Sequence, residues 1–411
     1  MAKSPLVLVG SEVKLRLLAE RQSTKSVVHL DWVRFTVIRR NAPAASADNL
    51  FPKKRPMSTS IWDEANRDEQ FRKILAELPD ADFHASVQAH ELAIAAAACM
   101  GSAFQVSNEA KKGIDFYKFR WSIELNGQEC GWVGFLASSE SPRQQSQAKT
   151  IHVNLFGTAC TFADTGWNHR LADLADSYDA DITRCDLALD FFDGIPGGIE
   201  SIREDYRAGL CNVGGRKLKF NMVGDWENGH DRSLYIGSRE AGKITNVYEK
   251  GDQLFGEKSN SEWLRAELRY GNKLRVLSTE MLRRPADFFA GASDWHQSLI
   301  YRALALEVVA EPVKCTPRLQ VQTVQAECVR SLRWLKNTAA ASMALAFEYL
   351  GVDEFTAIVS GQKLPGRLSK FSREQIKAQL TPAFEMTSIF TLTKCEGTHA
   401  TFTVESSPAF A

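Results

Sequence analysis

Residues 184–192 read Arg-Cys-Asp-Leu-Ala-Leu-Asp-Phe-Phe. The period of two places Cys185, Leu187, Leu189 and Phe191 on one side of an extended chain, and Asp186, Ala188 and Asp190 on the other, which predicts a half-buried strand. Residues 262–270 (EWLRAELRY) repeat the form, with Trp263, Arg265, Glu267 and Arg269 sharing a face. Short strands separated by Gly, Asn or Asp are expected at 218–223, 233–237, 244–250 and 263–270. A hairpin turned by Asn126-Gly127 joins strands at 116–126 and 131–137. Runs of hairpins predict an α+β fold built on a mainly antiparallel sheet.

Around that centre, residues 27–37 and 150–156 read as further strands, and 167–178 and 199–210 as helices. Residues 39–58, with Pro43, Pro52 and Pro56, read as loop. Helical patterns at 62–78 and 84–100 make residues 41–110 a helical insertion. Past residue 275 the character turns helical, at 285–309, 321–350 and 372–380. The expected organisation is therefore a first domain over 1–275 and a helical C-terminal domain over 276–411, available for DNA or a partner.

The chain has 411 residues, 44% of them hydrophobic, and fifty Lys plus Arg balance fifty Asp plus Glu. That excludes a mainly disordered chain and a small cationic DNA binder. The zero is a sum of unlike segments. Residues 169–200 hold eight acids against Arg170 and Arg184, while 232–275 hold nine Lys plus Arg against six acids. Residues 361–377 carry five basic residues, Lys363, Arg367 and Lys370 among them, against Glu374, a strip suited to a phosphate backbone. Eight cysteines (99, 130, 160, 185, 211, 315, 328 and 395) stand singly, which excludes a zinc site and suits buried thiols in a reducing cytoplasm. The longest apolar run, 92–104, is too short to span a bilayer. A cytoplasmic protein is expected.

Residues 237–243 (GSREAGK) approach a phosphate-binding loop, but Ile244 replaces the Ser or Thr that would ligate magnesium, and the β-branched residues that follow oppose a helix. A hairpin turn is the better reading. No two histidines are one residue apart, so any metal must be held by oxygen; His152 and His230 are lone histidines. Asp186, Asp190 and Glu267, on faces that could meet, would suit Mg²⁺ or Mn²⁺. Four residues at ~3.3 Å rise separate the two aspartates by ~13 Å, so both could serve one ion only through a bulge. Asp31 is a substitute ligand.

Together, residues 184–194 (RCDLALDFFDG), 233–243 (SLYIGSREAGK), 246–253 (NVYEKGDQ) and 262–270 resemble the replication initiation factor family, the rolling-circle initiators of plasmids, filamentous phages and some conjugative elements. The resemblance covers about 150–275 and reaches the strand of Asp31. It implies an origin-specific single-strand DNA endonuclease and strand transferase with a tyrosine nucleophile, Tyr248, assisted by Lys250. It implies a divalent metal, Mg²⁺ or Mn²⁺, on Asp186, Asp190 and Glu267. Arg239, Lys243, Arg265 and Arg269, with Lys363, Arg367 and Lys370, are the expected DNA contacts. The implied partners are origin DNA, as a single strand or an extruded hairpin, and a host helicase and polymerase; a homodimer is compatible. Tyr235 is the second candidate nucleophile. A conjugative relaxase of the same family and a non-catalytic DNA-binding regulator are the alternatives.

Overall fold

The computed structural model describes residues 10–43, 81–141, 144, 147–256, 260–303, 310–360, 363–387, 390–391 and 403–404. The helix expected at 62–78, most of the insertion before residue 81, and Cys395 lie outside them. The chain forms two compact units, Met1–Cys315 and Thr316–Ala411.

The first unit begins with helix α1 (Gly10–Thr24), strand β1 (Val28–Ile38) and helix α2 (Ala81–Met100). Strands β2 (Phe104–Val106), β3 (Lys111–Lys112), β4 (Tyr117–Leu125), β5 (Gln128–Ala137) and β6 (Thr150–Leu155) follow, then helices α3 (Gly157–Phe162) and α4 (Trp167–Ser177). Next come β7 (Asp181–Phe191), α5 (Gly198–Arg207), β8 (Phe220–Asp225), β9 (His230–Ser238), β10 (Lys243–Glu249), α6 (Lys250–Phe255) and β11 (Leu264–Gly271). Three short helices close the unit: α7 (Glu280–Arg283), α8 (Pro285–Ala290) and α9 (Asp294–Arg302).

The eleven strands described in the first unit join one sheet in the order β2-β4-β5-β6-β1-β7-β11-β10-β9-β8, with β3 beside β4, and every pairing is antiparallel. The expected α+β class holds. The stretch at 184–192 lies in β7, between β1 and β11, where alternation sends Cys185, Leu187 and Leu189 into the core with Val33, Phe35, Val153 and Leu268. Leu92 and Met100 of α2, Leu171 of α4 and Phe289 of α8 belong to the same core. The apolar character of that face is what fixes the register, since a slip by one residue would send the carboxylates into the hydrophobic core instead.

The β1–β7 register is interrupted twice. Between Leu30 and Trp32 the pairing shifts by one residue on β1, giving Asp31 no partner; between Arg34 and Phe35 it shifts on β7, giving Thr183 none. Bulges of this kind turn an extra side chain out of the ladder. Both turn a polar residue out.

The boundary expected at 275 falls at 315 instead. Residues 310–315 are tied to α8, since Val313 N donates to Asp287 O at 3.0 Å and Glu311 N to Asp287 Oδ1 at 2.8 Å. Leu299 and Ala310 lie in the sheet's core. One glycine makes this closure possible: a Cβ on Gly291 would sit 2.0 Å from Val313 O. Gly291 has φ −69°, so Gly291→Ala meets a purely steric barrier and should cost about 1 to 3 kcal/mol, read as a lower midpoint of urea unfolding at an unchanged slope.

The second unit contains α10 (Arg318–Trp334), α11 (Ala340–Leu350), α12 (Val352–Val359) and α13 (Arg373–Thr387). Its small core joins Val324 and Cys328 of α10 to Leu368, Ile376 and Ala383. No helix among the described residues is long and apolar enough to cross a membrane.

Candidate active site

The polar face of the sheet is not a solvated surface. Asp186 and Asp190 have no exposed area, and Arg265 and Glu267 are buried with them. Register explains how four charged groups share the interior, for Arg265 lies directly opposite Asp190, Glu267 opposite Ala188, and Arg269 opposite Asp186. The faces inferred from 184–192 and 262–270 do meet.

At one end, Arg265 grips Asp190 through Nε to Oδ1 at 2.8 Å and Nη2 to Oδ2 at 2.9 Å, and donates Nη1 to Asp31 Oδ1 at 2.6 Å. The first bulge delivers Asp31 to that contact. Trp263 Nε1 also donates to Asp190 Oδ1, at 2.7 Å, and His29 Nδ1 stands 3.5 Å from Oδ2. Burial pushes the Asp190 carboxyl up, but Arg265 and then His29 hold it below the ordinary carboxylate range. Helix α1 closes this end: Arg21 Nη2 donates to Asp190 O at 2.7 Å, while Val13 and Leu17 pack with Phe192 and Trp263. Glu20 of α1 is pushed up to about 7 by burial and by Asp190.

Tyr248 on β10 lies directly opposite Arg265. It is half-buried, and its hydroxyl makes no hydrogen bond to a described residue. Burial raises its phenol well above the ordinary value of 10, with Arg265 pulling the other way. Lys250 differs from the expectation, because β10 stops at Glu249 and Lys250 opens α6. The turn nevertheless keeps it close: Nζ sits 5.7 Å from the Tyr248 ring centroid and donates to Gln253 Oε1 at 2.8 Å. Burial, then Arg265, lower the Lys250 ammonium to about 8.

The other end of the face is separate. Arg184 Nε donates to both oxygens of Asp186, at 2.9 and 3.1 Å, its Nη2 bonds Oδ2 as well, and Arg269 Nε bonds Glu267 Oε1 at 2.6 Å. Burial pushes the Asp186 carboxyl up to about 7 against the pull of Arg184. Asp186, Asp190 and Glu267 therefore belong to two arginine-bridged groups rather than one ligand set. Among the described residues no group of three or more His, Cys, Asp or Glu is placed to hold a metal ion. The donors present fit guanidinium rather than a divalent cation, which could enter only by displacing an arginine. His29 Nε2, buried without a partner among the described residues, is the unspent ligand atom of the group.

The other expected contacts are scattered. Arg239 is exposed on the β9–β10 turn, where Gly242 N donates to Arg239 O at 2.9 Å; this is the hairpin that the failed phosphate loop suggested. Lys243 is used structurally, donating Nζ to Ala292 O at 2.7 Å, and burial lowers it to about 8. Lys363, Arg367 and Lys370 are exposed in the second unit. Tyr235 lies opposite Asn246, away from Arg265. His152 bonds Thr36 Oγ1 at 2.9 Å, and His230 lies 3.9 Å from Asp252.

Sequence reading missed α1, His29 and Arg21. Val13, Leu17 and Arg21 recur at i, i+4, a signal of one buried helical stripe. For His29 the signal is position: it lies two residues before Asp31 on a β-branched strand, hence on the same face.

A family model described as replication initiation factor matches residues 180–361. That segment contains β7, β10 and β11, and with them Asp186, Asp190, Tyr248, Arg265 and Glu267. Among solved structures, a rolling circle replication initiator protein from Geobacillus stearothermophilus is similar over 67% of this chain and 84% of that chain, at 17% identity and a TM-score of 0.38. No curated protein matches the chain.

Proposed function

We propose, from the match of residues 180–361 to the replication initiation factor model, that this protein starts rolling-circle DNA replication by cutting one strand at its origin, with Tyr248 as the nucleophile. The observation that carries the reading is the place of Tyr248: a half-buried phenol whose oxygen has no described partner, opposite Arg265 and beside Lys250. A sheet tyrosine that serves packing normally engages its hydroxyl.

In the proposed step, Tyr248 Oη attacks the scissile phosphorus and loses its proton to solvent. The bond from phosphorus to the 3′ oxygen breaks, and that oxygen takes up a proton. The products are a 5′-phosphotyrosyl link and a free 3′-OH that a polymerase can extend. The link conserves the phosphodiester, so the strand can be rejoined without a nucleotide. Lys250 supplies positive charge to the crowded phosphoryl group, and Arg265, fixed by Asp190 and Asp31, lies behind the phenol without having to reorganise. Asp31 and Asp190 act here by positioning Arg265. A requirement for Mg²⁺ or Mn²⁺ is part of the proposal through the resemblance alone, and no step above is routed through an ion.

The test is incubation with supercoiled origin DNA, with Mg²⁺, Mn²⁺ or a chelator. Nicked circles with protein attached to the 5′ end are expected. Binding without any nicking would instead identify a DNA-binding regulator.

Lys250 gives this reading a pH signature. In the free protein its ammonium is lowered to about 8, so the useful charge is present below that pH and lost above it. Because the phenol, held well above 10, must lose its own proton, the rate of nicking at limiting DNA, which reports the free protein, should rise with pH to about 8 and level off above it, where lost lysine charge offsets gained phenolate. Lys250→Arg should keep activity within about tenfold at pH 7 and let the rise continue past pH 8, whereas Lys250→Met should lose about 100- to 1,000-fold at pH 7. A wild-type rate that still climbs tenfold per unit to pH ~10 would remove Lys250 from the mechanism.

A further inference from the structure

Far from Tyr248, the polar face ends in a groove of about 560 Å³ between β1, β6 and the β3–β4 turn. The turn is Ile114-Asp115-Phe116-Tyr117, closed by Tyr117 N donating to Ile114 O at 3.1 Å, with φ 52° at Asp115 and 73° at Phe116. A hairpin turn with both central φ positive favours Asn-Gly, and phenylalanine at its second position is strained. Nothing in packing repays the strain, since Phe116 is 66% exposed at the rim of the groove.

The groove's wall is flat and neutral. Tyr117 and His152 stack at 5.7 Å with 12° between their planes, and burial, then Arg34, hold His152 at about 3, uncharged at neutral pH. Thr183, turned out by the second bulge, lines the groove, and its buried hydroxyl has no partner among the described residues. Arg34 is the groove's cation and is already paired with Asp115 at 3.0 Å. A compensated cation is poorly matched to a phosphate. A rim aromatic and a stacked aromatic wall match a flat heteroaromatic ring.

We propose that this groove is a binding site for one unstacked base of single-stranded DNA, with Phe116 as the stacking platform. It rests on the function proposed above only for the class of polymer. A base inside a duplex is stacked on both faces, so the site selects single strands. By strand rise and spacing the groove lies roughly 20 to 30 Å from Tyr248, several nucleotides along an extended strand.

The test is equilibrium binding of a short fluorescein-labelled oligothymidylate to the full chain, followed by anisotropy without divalent ions. Phe116→Gly should weaken binding about 5- to 150-fold, the range for loss of one base–aromatic stack. The same variant should unfold at an equal or higher temperature, because glycine relieves the positive φ, so misfolding cannot mimic the result. Phe116→Trp should bind within about threefold of wild type, and affinity for a duplex of the same length should be unchanged in both. The proposal is overturned if wild type does not bind the oligonucleotide, if Phe116→Gly binds as tightly, if Phe116→Trp loses as much, or if duplex binding falls in parallel. Because the readout involves no cleavage, weakened binding by Phe116→Gly with a wild type that never nicks would keep the base site and sink the nuclease reading. Nicking with undiminished Phe116→Gly binding would do the reverse.

Discussion

Tyr248→Phe should bind origin DNA as wild type does, unfold at the same temperature, and form neither nicked circles nor a covalent protein–DNA adduct. The stability side follows from the geometry. The Tyr248 hydroxyl bonds no described residue, so deleting one oxygen leaves no buried group without its partner, and the change should stay within ~0.5 kcal/mol. The activity side follows from the chemistry. Removal of a covalent nucleophile leaves only binding and electrostatic help, a loss on the order of 10³- to 10⁶-fold in comparable cases. Tyr235→Phe is the control, since Tyr235 lies opposite Asn246 rather than Arg265. It should nick normally. If Tyr248→Phe nicks as wild type does, the nucleophile is elsewhere and the proposed mechanism fails with it.

The period of two at 184–192 was enough to find the strand that sits between β1 and β11, because burial of one face is written directly into alternation. The same reading of 262–270 put Arg265, Glu267 and Arg269 on one face. Register then completed what spacing could only suggest, setting Arg265 against Asp190 and Arg269 against Asp186. What stayed hidden was tertiary. An arginine two residues from a glutamate looks like a compensating surface charge, and nothing in 262–270 reveals that its guanidinium turns across the sheet to a carboxylate 75 residues earlier. The bulges at Asp31 and Thr183 were hidden too, since a one-residue register shift depends on the partner strand. Lys250 was misplaced for a local reason. The residues 250–255 (KGDQLF) contain glycine and aspartate, which read as a turn, yet Leu254 packing beside Trp263 pulls them into a helical turn.

Arg265→Met should produce the largest loss of stability of any single change at this site. Asp190 has no exposed area, and without Arg265 its carboxylate keeps, among the described residues, Trp263 Nε1 at 2.7 Å and His29 at 3.5 Å against the cost of its burial. Removing one partner of a buried ion pair costs about 3 to 5 kcal/mol, because the remaining charge is stranded in a low dielectric. Adding Asp190→Asn to Arg265→Met should recover up to about half of that loss, since the amide oxygen still accepts from Trp263 and only the Asp31 carboxylate, with Lys250 nearby, is left without its arginine. The pH dependence has a defined sign. Asp190 is held below the ordinary carboxylate range, so its contribution is full above the unfolded value near ~4 and is lost as pH falls through the folded value; Arg265→Met should flatten that acid limb. The same variant addresses the carboxylates' other possible use. With the guanidinium gone, Asp190 and Asp31 are free to ligate an oxygen-seeking cation, so Mn²⁺ should raise the unfolding temperature of Arg265→Met more than that of wild type. Equal shifts would mean that these two carboxylates do not form an ion site even when released. A loss below about 1 kcal/mol would mean that packing around Trp263, rather than the Arg265 bridge, holds this end of the sheet together.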